Sequence, residues 1–146
     1  MRGRFLSKMK GGRQQDILKR FTERYSTGAS SALNAVERHA IGAVVGANGY
    51  TTVAQAEQLL DVLGLKPSRW LLDIGAGRGW PGLYLSERSE CRAVVTDVPR
   101  PAITSASSRA EELGLAGRCH FALASGTLLP FARDSFDAVV HTDTLC

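Results

Sequence analysis

Trp70-Leu71-Leu72-Asp73-Ile74-Gly75-Ala76-Gly77-Arg78-Gly79 joins a short apolar run to a glycine-rich loop. The run is bounded upstream by Lys66-Pro67-Ser68 and downstream by the glycines, which predicts a strand buried on both faces. Gly75, Gly77 and Gly79 permit positive φ and let a ligand reach the backbone with no Cβ in the way. A helix is expected next, over residues 81–88, with Pro81 at its first position. Unpaired N–H groups at such a start can meet an anionic group.

Outward from this point the pattern alternates. Residues 92–96 read as a strand, 101–113 as a helix stopped by Gly114, and 119–124 and 136–142 as further strands. Strand, helix, strand, helix, strand at this spacing implies parallel pairing through right-handed crossovers, hence an α/β doubly wound parallel sheet of about four strands. Helices precede it. Ile17, Leu18 and Phe21 have helical spacing from about residue 14, and a second helix is expected over 32–45. Thr52 and Gln55 form a capping-box signature, Ala56, Leu59, Leu60 and Leu63 share one face, and Gly64 stops the third helix.

Composition agrees with this architecture. At 146 residues, 44% apolar and 22% charged, the chain matches one globular domain and excludes a disordered, collagenous or coiled-coil protein. The longest uncharged apolar run, 40–47, is far short of the roughly 20 residues that cross a bilayer. Cys91, Cys119 and Cys146 form no C-x-x-C pair, and His39, His120 and His141 form no i, i+4 pair, so neither a disulfide framework nor a metal site is expected. A reducing cytoplasm is the expected location. Within residues 1–24, Arg2, Arg4, Lys8, Lys10, Arg13, Lys19, Arg20 and Arg24 face only Asp16 and Glu23, which makes this segment +6 and the remainder −2. Such an arm is a solvated leader or an attractor of nucleic acid or an acidic membrane; Phe5, Phe21 and Tyr25 are too few aromatics for base stacking, so nucleic acid is not the expected partner.

Ligands of open α/β sheets bind outside the carboxyl ends of the strands. Asp97 ends the second expected strand, eighteen residues past Gly79, and a carboxylate there can accept from both hydroxyls of a ribose. Loop and carboxylate together indicate a nucleoside. A dinucleotide loop would need glycine at position 80, which is Trp80, so the pyrophosphate fingerprint of a nicotinamide dehydrogenase is not matched.

Asp73-x-Gly75-x-Gly77-x-Gly79, followed by Val94-Val95-Thr96-Asp97, Leu129-Pro130-Phe131 and Asp134-Ser135-Phe136-Asp137-Ala138-Val139-Val140, resembles the class I S-adenosylmethionine-dependent methyltransferases, in the family's order over about residues 50–142. The resemblance implies a Rossmann-like fold and S-adenosylmethionine as cofactor. It implies that Gly75, Gly77 and Gly79 shape the loop beneath the methionine and ribose, and that Asp73 orients that loop or bonds the amino group. Asp97 would hold the ribose and Val98 the adenine face, with Ser125 where the family often has an aspartate beside the adenine amino group. Trp80 would offer its face to the sulfonium or pack in the core, and Arg78 would meet the methionine carboxylate or lie in solvent. His141, a weak candidate, or Asp143 would serve as general base or stay solvated. Residues 1–50 would be a basic tail and helical lid over the acceptor, and 51–146 the cofactor half. The resemblance further implies that the strands the family has after the fourth are missing, the sequence being truncated or completed by another chain, so an exposed fourth-strand edge is expected to favour self-association. A methyltransferase acting on a small-molecule acceptor is the expected function, with a noncatalytic S-adenosylmethionine-binding module as the alternative.

Overall fold

Leu71, Leu72 and Asp73 are all buried, as a strand covered on both faces requires. In the computed structural model, which describes residues 12–28, 30–47 and 49–144, this strand, β1 (Trp70–Ile74), is central. It pairs in parallel with β2 (Arg92–Asp97) on one side and β4 (Ala138–Val140) on the other, and β2 pairs in parallel with β3 (Cys119–Leu123). The order is β3-β2-β1-β4, so the chain runs outward from β1 and then returns to its opposite side. This reversal is the switch point at which open sheets leave a crevice.

The first three elements are helices, α1 (Gly12–Ser26), α2 (Ser31–Ile41) and α3 (Val53–Leu63). α4 (Gly82–Ser89) links β1 to β2, and α5 (Arg100–Glu112) links β2 to β3. Leu83 and Leu85 of α4 are buried against Leu71 and Val95, and each such burial contributes about 1.5–3 kcal/mol. Leu59, Leu60 and Leu63 of α3 pack on the same cluster. α1 lies against α5. No helix among the described residues is long and apolar enough to cross a membrane. Arg2, Arg4, Lys8, Lys10, Phe5 and Cys146 lie outside the described residues.

Several boundaries differ from the sequence expectation, most of them by one or two residues. α2 ends at Ile41 rather than 45, because Gly42 takes a left-handed conformation and its N–H caps Arg38 O at 3.1 Å. The Glu37 carboxylate then accepts from Val45 N (3.0 Å) and Ala47 N (2.7 Å), which holds the following residues in a loop. Pro81 stands just before α4 rather than within it. β4 has three residues, not seven, and Phe136 instead packs edge-on against Phe131 with ring centroids 5.1 Å apart.

The α3 capping box is formed: Gln55 N donates to Thr52 Oγ1 at 3.2 Å, and Thr52 N donates to Gln55 Oε1 at 2.8 Å. Thr52→Ala is expected to lower unfolding free energy by about 1 kcal/mol, read as a lower urea midpoint with unchanged slope.

Candidate functional site

Two strand exits are fastened to each other. The Thr96 carbonyl at the end of β2 accepts from Gly75 N (2.8 Å) and Ala76 N (3.0 Å), and Thr96 Oγ1 donates back to Asp73 O at 2.9 Å. Asp97 completes the junction: one carboxylate oxygen accepts from Gly77 N at 2.8 Å and the other from Val98 N at 2.6 Å. Gly75 and Gly77 have φ of 71° and 57°, which L side chains rarely adopt. A Cβ on Gly75 would collide with Thr144, and one on Gly77 would lie 2.7 Å from the Tyr25 hydroxyl.

The expected unpaired N–H groups are not what the loop presents. Gly75, Ala76 and Gly77 donate to β2, and Gly79 N and Trp80 N both donate to Ala76 O. A loop that spends its donors internally is poorly suited to a pyrophosphate but leaves a flat backbone floor.

That floor opens into a cavity of about 860 Å³ lined by Gly75, Ala76, Gly77, Asp97, Val98 and Pro99 below and by α1 and α2 above. Of the residues singled out from the sequence, Gly75, Gly77, Asp97 and Val98 therefore share one space, as do Arg78 and Trp80. Gly79 does not line it; a Cβ there would sit 2.5 Å from Leu83, so this glycine serves the packing of α4. Ser125 is also outside the lining, and its hydroxyl pairs with Thr127 Oγ1 at 2.9 Å. His141 is exposed and outside the lining, whereas Thr142, Asp143 and Thr144 belong to it.

Asp73 supports the loop from behind. It is fully buried, its Oδ2 accepts from Gly82 N at 2.8 Å, and its Oδ1 has no hydrogen-bond partner among the described residues. Burial pushes this carboxyl up to about 8; the Gly82 N–H opposes the rise and the nearby Asp97 charge adds to it. Burial raises Asp97 as well, opposed by the N–H groups of Val98 and Gly77.

The upper wall is held by contacts that the sequence did not announce. Arg78 donates to Thr27 O at 2.8 Å and lies over the Tyr25 ring at 5.7 Å. Asp143 Oδ2 accepts from Tyr50 N (2.9 Å), Thr51 N (3.2 Å) and Thr51 Oγ1 (3.0 Å), so it fastens the segment between α2 and α3. Trp80 is buried, and its Nε1 donates to Thr51 O at 2.9 Å. Apolar residues at helical spacing on α1 and α2 were the available signal for a covering wall, but partners 51 and 93 positions away have no local signature.

A family model described as a methyltransferase domain matches residues 71–146. Methyltransferase GfsG of Streptomyces halstedii is 34% identical over 83 residues, covering 57% of this chain and 30% of that protein. Erythromycin 3''-O-methyltransferase of Saccharopolyspora erythraea is 32% identical over 90 residues, covering 61% of this chain and 29% of that protein. The chain thus spans about 30% of the length of these relatives. Geranyl diphosphate C-methyltransferase from Streptomyces coelicolor A3(2), solved with Mg2+, geranyl diphosphate and S-adenosyl-L-homocysteine, superposes with a TM-score of 0.67 at 19% identity. The match covers 90% of this chain and 54% of that one, and shows a shared fold.

The raised Asp73 carboxyl makes stability pH-dependent. Between the ordinary value of 3.8 and about 8 the folded state keeps a proton that the unfolded chain has lost, so stability falls as pH rises through this window. Asp73→Asn, neutral at every pH, is expected to flatten that decline in urea midpoints measured from pH 5 to 8.

Proposed function

The chain belongs to the methyltransferase domain family, and we propose that it forms the S-adenosylmethionine-binding half of a methyltransferase acting on a small-molecule acceptor. The observation that carries this reading is the shared space of the Gly75–Gly77 floor and the Asp97 carboxylate. The fit is chemical as well as spatial. Each Asp97 oxygen receives one backbone N–H, and a carboxylate has about four lone-pair positions, so one remains on each oxygen for a ribose hydroxyl. Val98 and Pro99 would meet the adenine, and the backbone of Gly75, Ala76 and Gly77 would lie beneath the ribose and methionine. Asp73 and Gly79 would act from behind, by holding Gly82 and seating Leu83. Ser125, paired with Thr127, is left outside this set.

When bound, S-adenosylmethionine supplies an electrophilic methyl group on a sulfonium. The residues of this chain position and shield. α1 and α2, fastened through Arg78 and Asp143, form a lid that excludes water, and Trp80 keeps its indole fixed in the wall through Thr51. Holding two reactants in a reactive arrangement can remove up to about 7–11 kcal/mol of a barrier. Asp143 serves as a strap, since one of its oxygens binds three donors of the Tyr50–Thr51 segment. The erythromycin methyltransferase acts on a small molecule, which supports that acceptor class here.

Calorimetric titration tests the reading. The chain is expected to bind S-adenosylhomocysteine and not NAD, and Asp97→Ala is expected to weaken binding by at least about tenfold, the loss that follows removal of charge-assisted hydrogen bonds. Binding of NAD in place of S-adenosylhomocysteine would overturn it.

A further inference from the structure

The cavity is larger than its cofactor end. Its volume of about 860 Å³ lies in the upper part of the range of about 300–1,000 Å³ typical of ligand sites, which leaves room for a second molecule. Besides the glycine floor, the lining takes in Ile17, Leu18 and Phe21 of α1 and Leu33, Val36 and Ile41 of α2. Leu33 is 60% exposed and Val36 64%, with Ile17 at 47% and Phe21 at 42%, so large apolar side chains from two helices line a concavity instead of a core. Apolar surface gathered in this way marks a binding site.

The polar groups sharing the lining are mostly engaged elsewhere. One oxygen of Glu37 is taken by Val45 N and Ala47 N, one oxygen of Asp143 by the Tyr50–Thr51 segment, and Arg78 by Thr27 O, while the positions left open on Asp97 belong to the cofactor end. A cationic or sugar-like acceptor needs converging polar partners, and leaving its own groups unpaired would be costly. The chamber offers hydrocarbon instead, with Arg24 and Asn34 in the lining for one polar end.

Resting on the methyl-transfer reading above, we propose that the chamber between α1 and α2 is the acceptor site, and that the acceptor is a lipophilic small molecule, rich in hydrocarbon with a single polar end. The molecule would enter beside the glycine floor with its apolar body against Leu33 and Val36.

The test uses farnesol as the lipophilic probe in equilibrium dialysis, with S-adenosylhomocysteine titrated in parallel. Three forms of the chain are compared: the natural sequence, Val36→Asp in the chamber wall, and Val62→Asp, which is 80% exposed on α3 and outside the lining. Farnesol is expected to bind the natural chain and Val62→Asp equally and Val36→Asp at least about tenfold more weakly, because a carboxylate would then face its hydrocarbon. All three are expected to bind S-adenosylhomocysteine within about twofold of one another. S-adenosylhomocysteine binding without farnesol binding, or farnesol binding indifferent to Val36→Asp, would overturn this inference alone. Sedimentation showing a dimer that Val36→Asp dissociates, with no farnesol bound, would assign the walls to a second copy and overturn it as well. Farnesol binding without S-adenosylhomocysteine binding would overturn the methyl-transfer reading, and the acceptor role with it.

Discussion

The Asp97 carboxylate holds two strand exits at once. Its two oxygens take the N–H groups of Gly77 and Val98, one from the loop after β1 and one from the end of β2. The neighbouring Thr96 carbonyl takes Gly75 N and Ala76 N, so the glycine loop is bonded along its length to the adjacent strand. Without these bonds the buried donors of the loop would lack partners, at a cost of about 1–3 kcal/mol each. Because they exist, the loop is tied down as a floor, and the Asp97 carboxylate stands within hydrogen-bond distance of its backbone.

Support for that floor extends in both directions. Behind it, Asp73 anchors the first residue of α4 in a fully buried setting, which is why Gly82 must be a glycine: a Cβ there would lie 2.5 Å from Asp73 Oδ2. Above it, Arg78 reaches the end of α1 and Asp143 reaches the residues before α3. One short stretch of chain is therefore coupled to the sheet, to the helix that follows and to the wall across the cavity.

Much of this was legible from local pattern. The strand at Trp70–Ile74, the capping box at Thr52 and Gln55, the parallel order and the meeting of Gly75, Gly77 and Asp97 all follow from hydrophobic period, turn chemistry and the crossover rule. Boundaries set by competing interactions were less legible. α2 stops early because Gly42 and the Glu37 carboxylate together redirect the chain, and β4 is shorter than expected, with Phe136 packed on Phe131 outside it. Gly79 belongs to the motif by spacing but to the core by contact, and nothing in a glycine distinguishes the two uses. The roles of Tyr25, Arg78 and Asp143 depend on partners distant in sequence, which spacing does not encode.

Backbone amide NMR with added S-adenosylhomocysteine tests directly, at the atoms involved, whether this floor and carboxylate form a nucleoside site. The amides of Ala76, Gly77 and Val98 are expected to shift most, in saturable fashion, while those of β3 hardly move. Saturable shifts confined to other elements, with Gly77 and Val98 unchanged, would contradict a nucleoside site there.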